Sequence, residues 1–151
     1  MNPLRALQQI VVAFALLVIA LGASLAQSNS AALRVVLKGH DPVAYFTEGR
    51  PVKGSPSIGH DWDGERYLFA TVANRDKFVA DPERYAPQFG GYCTGSMAKG
   101  VRLEADPEAW IISGGRLYVF GQVKFRDMAK NDSRYLSEKI AAAKHNWRAH
   151  N

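Results

Sequence analysis

Two adjacent residues, Asp63 and Gly64, restrict this chain more than any other pair. Asp-Gly is a favoured two-residue type I′ turn, and it stands between runs that alternate in polarity, so residues 58–69 are predicted to form a β-hairpin. The turn sets the register: Trp62 faces Glu65, Asp61 faces Arg66, His60 faces Tyr67 and Ile58 faces Phe69. A period of two then gathers Ile58, His60, Trp62, Tyr67 and Phe69 on one apolar face. A second hairpin is predicted over residues 110–120, turning at Gly114-Gly115, with Ile112 opposite Leu117, Ile111 opposite Tyr118 and Trp110 opposite Val119. Both of its faces are apolar, which predicts a central place in the sheet.

Helical signals surround these hairpins. Residues 72–80, with Phe78 and Val79, read as a helix closed by Asp81-Pro82, and a short helix is expected around 125–130. A longer one should run from Ser133 to about Trp147, because Leu136, Ile140, Ala143 and Trp147 recur at the spacing of one buried stripe. Asp-Pro occurs at 41–42, 81–82 and 106–107. In each pair Asp can cap and Pro can take the first helical position, so each is predicted to open a short helical turn. The expected fold class is α+β, a small antiparallel sheet of hairpins covered by helices.

The N-terminus reads as an export signal. Arg5 is the single charge before an unbroken apolar run at residues 10–21, and Ser24-Leu25-Ala26 follows as a small-x-small cleavage site. This pattern predicts a signal peptide over residues 1–26, with an uncleaved anchor as the alternative. No cysteine follows the apolar run, which excludes lipoprotein attachment. Residues 27–36 are then a loose polar leader and residues 37–151 one domain. Of the 151 residues, 47% are hydrophobic and 22% charged, a globular balance with room for one core. No later apolar stretch matches the first, so the mature chain is expected to lack a transmembrane segment and to work in a bacterial periplasm. Its basic residues are scattered, densest on the last segment at Lys130, Arg134, Lys139, Lys144 and Arg148, the pattern of a solvated helix face. An exported chain of this kind does not predict a nucleic-acid partner. A metal ion or another periplasmic protein is the expected partner.

The chain has one cysteine, Cys93. An oxidising compartment favours paired cysteines, so a lone thiol there is buried, ligated or reactive. No nucleophile elbow, His-Glu-x-x-His, phosphate loop or dinucleotide fingerprint is legible, and enzymatic activity is not the leading expectation.

Four motifs in order carry a resemblance: residues 39–46 (Gly-His-Asp-Pro-Val-Ala-Tyr-Phe), 62–69 (Trp-Asp-Gly-Glu-Arg-Tyr-Leu-Phe), 78–85 (Phe-Val-Ala-Asp-Pro-Glu-Arg-Tyr), and Tyr92-Cys93 after a glycine pair. Together they resemble the YHS domain family, and more narrowly its exported single-domain members, some of which have selenocysteine in place of a cysteine. The likeness runs from about Leu37 to Trp147. It implies binding or handling of a transition metal, copper or zinc. The cysteine-bearing form of the family has sulfur where this chain has Ala44, Ala70 and Asn74, so any metal site here must be rebuilt from other donors.

The donors nominated for it are Cys93, His60, His40 and Met97. Cys93 lies in a stretch of small residues and glycines, and if the segment after Tyr92 is helical, Met97 falls on the same face four residues on. Thiolate with thioether suits Cu(I), and thiolate with imidazole suits copper or zinc. The plain alternatives are a core histidine at His60, a turn residue at His40, core filler at Met97 and a small buried hydrophobe at Cys93. The competing functions are an interaction or structural domain with an inert cysteine, and a thiol redox protein.

Overall fold

The chain is seen as a computed structural model that describes residues 32–149. The expected signal peptide and residues 27–31 lie outside the described residues. Helix α1 (Ala44–Thr47) leads into the hairpin β1 (Ser55–Trp62) and β2 (Glu65–Phe69). Helices α2 (Val72–Ala80), α3 (Pro82–Tyr85) and α4 (Thr94–Met97) follow, then the hairpin β3 (Asp106–Ser113) and β4 (Arg116–Phe120). The described chain closes with α5 (Val123–Asn131) and α6 (Ser133–Ala149). The fold is α+β, as expected. No described helix is long and apolar enough to cross a membrane.

Near both turns the hairpin registers match the prediction. Trp62 pairs with Glu65, Asp61 with Arg66 and His60 with Tyr67, and Asp63 and Gly64 both have the positive φ of a type I′ turn. Farther out the first prediction fails, because Phe69 pairs with Ser55 and not with Ile58. A register shift between Ser55 and Gly59 absorbs the extra residues, and Pro56, with no N–H to donate, lies inside it. In the second hairpin Trp110, Ile111 and Ile112 meet Val119, Tyr118 and Leu117 as predicted.

The two hairpins form two separate two-stranded sheets, so the second is not the middle of a larger one. It is central by packing instead. Leu117 and Val119 on one face of β4 enter a core cluster with Tyr45, Tyr67, Phe69 and Phe78. Tyr118 and Phe120 on the other face enter a second cluster with Phe89, Met97 and Ala143. Its two apolar faces thus serve two cores. The α6 stripe packs as predicted, with Ala143 fully buried and Leu136, Ile140 and Trp147 against the second cluster.

Two departures matter for the sites. Asp106-Pro107 opens β3 and not a helix: Asp106 pairs with Phe120 while its Oδ1 accepts from the Glu108 N–H. The end of the expected leader belongs to the fold, since Val36 is buried and the folded unit begins at Leu33. Residues Val36–Gly39 and Gln88–Gly91 form short turns whose inner residues are left-handed, among them Leu37, Lys38 and Phe89. The turns pack so closely that a Cβ on Gly91 would come within 2.9 Å of the Val36 side chain.

Candidate functional site

Cys93 immediately precedes α4, and its backbone is held from both sides. Its N–H donates to Leu103 O, while its carbonyl accepts from Met97 N and from Ser96 N and Oγ. These bonds leave the side chain free to point across the chain toward Gly121, whose N–H donates to Sγ at 3.1 Å. The residue is 7% exposed. Cys93 belongs to the first core cluster and also lines a cavity of about 500 Å³. Glycine keeps that space open: a Cβ on Gly121 or Gly95 would stand 3.6 or 3.8 Å from the sulfur.

The cavity wall is mainly apolar and opens to solvent. Val101, Leu103 and Phe125 line it, and all three rank among the exposed large hydrophobic residues of the surface. Exposed apolar groups gathered at one opening mark a place of contact with something else. Lys99, Lys139 and Glu104 supply charge around the same opening.

The other nominated donors lie elsewhere. Met97 does fall one helical turn after Cys93, its N–H bonded to the Cys93 carbonyl, but its side chain is wholly buried in the second core cluster. His60 is half-buried and sets its ring edge-on to Phe78, with centroids 6.2 Å apart. The Nδ1 of His40 lies 2.9 Å from Leu37 O, where it holds the first left-handed turn. Neither histidine lines the Cys93 cavity. Of the remaining histidines, His145 is exposed and His150 lies outside the described residues.

The three positions where the family resemblance places sulfur do converge, around Asp41. This carboxylate is fully buried. Its Oδ1 accepts from Val43 N and Ala44 N, and its Oδ2 from Ala70 N at 2.9 Å and Asn74 Nδ2 at 2.8 Å. Four donors saturate the two oxygens, so the residues present make a hydrogen-bonded knot joining α1, the end of β2 and α2. They do not fit a copper or zinc ion. Nor does the donor set at Cys93 fit a resident one, and among the described residues no group of three or more His, Cys, Asp or Glu side chains is placed to hold a metal.

The knot and the cavity were only partly visible beforehand. Asp41 reads as a cap, and nothing local in the sequence signals that Ala70 and Asn74 return to it. Arg34 was missed altogether, though it pairs with Glu65 at 2.7 Å and Glu104 at 2.6 Å, donates to Gly90 O and lies 3.9 Å over the Tyr92 ring. Comparison with protein-family models, characterised proteins and solved structures finds no match.

Proposed function

We propose that this chain is an exported, YHS-like binding module of the periplasm, with the Cys93 cavity as its site and a small, mainly apolar group as what it holds. The observation that carries the reading is the meeting, at one opening, of a thiol with three exposed apolar side chains. Gly95 and Gly121 leave room beside the sulfur, where a Cβ would stand at ordinary contact distance. Export rests on the apolar run and small-residue step of residues 1–26, and mass spectrometry of periplasmic protein should find Gln27 at the mature N-terminus.

Copper or zinc handling is the second reading, favoured by a soft donor that opens on a cavity. A metal would then be cargo, its other ligands supplied by the molecule that delivers it.

The test is the rate at which a disulfide reagent labels Cys93 in folded, reduced protein. Labelling well above the rate of global unfolding is expected. Labelling only as fast as the chain unfolds would sink the binding reading and leave a structural domain. Titration of copper and zinc into the same protein, with Cys93→Ala as control, separates the second reading from the first.

A further inference from the structure

A second concavity, of about 760 Å³, lies between the turn of the first hairpin, the left-handed turn at Gln88–Gly91 and the C-terminal end of α6. It shares no lining residue with the Cys93 cavity, and its volume falls in the range of small-molecule sites.

Its walls are aromatic on two sides. Trp62 and Tyr67 form one set, with ring centroids 6.1 Å apart. Phe89 forms the other with Tyr118 and Trp147, at 6.2 and 6.3 Å. All five line the concavity, and no ring contact joins the two sets among the described residues. Between them the backbone is pressed close. A Cβ on Gly90 would stand 3.2 Å from the Trp147 ring and 3.3 Å from Glu65 Oε2. Phe89 itself is held in the left-handed region at φ 58°, a conformation that costs a bulky residue about 1 kcal/mol or more. Strain of this kind persists where the surroundings over-determine it, and here it supports the aromatic wall.

Charge around the cleft is lopsided. Its carboxylates are Asp63, Glu65 and Glu83, and Glu65 is already engaged by Arg34. Burial, opposed by Arg34, pushes the Glu65 carboxyl above its usual range. Against these stand four exposed cations, Arg102, which lies 4.9 Å over the Trp147 ring, Arg116, which donates to Glu83 O, Lys144 and Arg148. Two aromatic sets lining one concavity suit a flat unsaturated group, and cations clustered at its rim suit an anion.

We propose that this cleft binds a small planar anion, an aromatic ring carrying a carboxylate, sulfonate or phosphate, with the ring between the two aromatic sets and the charge toward Arg116, Lys144 and Arg148. The probe is naphthalene-2-sulfonate, titrated into protein recovered from cells, with the indole N–H resonances of Trp62 and Trp147 followed by NMR. Saturable shifts of both indoles are expected. The uncharged 2-naphthalenemethanol should bind about tenfold more weakly, and the exposed double variant Arg116→Gln with Arg148→Gln should weaken the sulfonate by a similar factor without disturbing the fold. Equal binding of the charged and uncharged probes would overturn the proposal, as would inorganic sulfate competing as well as the naphthalene compound. So would shifts confined to residues of the Cys93 cavity, such as Phe125 and Tyr135.

Discussion

The two places where this fold buries polar side chains treat them in opposite ways. At Asp41 a fully buried carboxylate receives four donors, one of them from the buried Asn74. At the start of α4, Cys93 receives a single N–H on its sulfur, and its neighbour Thr94 is fully buried with no partner for Oγ1 among the described residues. Saturation marks a group whose task is to hold elements together, since leaving buried donors unpaired is expensive. Unused capacity beside open space marks a group that is available to something else. The Asp41 side chain is saturated, while the polar groups at the start of α4 keep unused bonding capacity within a buried segment.

The largest expected effect is therefore at Asp41. Replacement by Ala strands four donors and should cost about 4 kcal/mol, whereas Asn74→Ala, which removes one donor, should cost about 1.5 kcal/mol. Denaturant melts measure both, and equal losses would break the distinction.

Alkaline pH probes the same region from a second side. Tyr45, which packs beside Asp41 and donates to Pro107 O, and Tyr67 both have their hydroxyl pKa raised, first by burial and then by nearby carboxylates. A raised folded pKa means the folded form keeps its proton after the unfolded chain has lost it. Stability is thus intact below about pH 10 and falls as pH rises beyond it. Thermal melts from neutral to strongly alkaline pH should show this decline, and Tyr45→Phe should make it shallower.

Opposite signs are expected on the other side of the comparison. Thr94→Val removes an unpartnered hydroxyl at nearly constant shape and should raise stability by up to about 1 kcal/mol. A loss as large as that of Asn74→Ala would mean that Oγ1 is satisfied in solution. The smallest effect on stability belongs to Gly121→Ala. Its added methyl meets the sulfur at ordinary contact distance, so the melt should move by less than about 0.5 kcal/mol while labelling of Cys93 slows severalfold. Unchanged labelling would show that reagent reaches the sulfur by another path.

What could be read beforehand follows the range of each signal. The Asp63-Gly64 turn and the 4-3-4 stripe of α6 are local, and both appear where expected. The bulge around Pro56 was missed because turn chemistry fixes register only near the turn. Asp106-Pro107 carries the same local signal as a helix start, and pairing with β4 decided it otherwise. The convergence of Ala44, Ala70 and Asn74 on Asp41, and of Val101, Leu103 and Phe125 on the Cys93 opening, depends on chain crossings that spacing does not encode. The composition around Cys93 marks a place of small residues, but not which side chains the fold brings beside it; His40 holds a turn and His60 packs edge-on to Phe78 instead.

Arg34 carries a kinetic consequence. Its two carboxylate partners lie 31 and 70 residues downstream, at Glu65 and Glu104. Contacts that span so much sequence close late, because the loop entropy between them is lost before the ion pairs form. Arg34 can meet Glu65 once the first hairpin is in place, but its full clamp is complete only when Glu104, 70 residues on, has folded back to it. The described N-terminal segment is therefore expected to dock late, after the first hairpin and the approach to the second, which carry its partners, have formed.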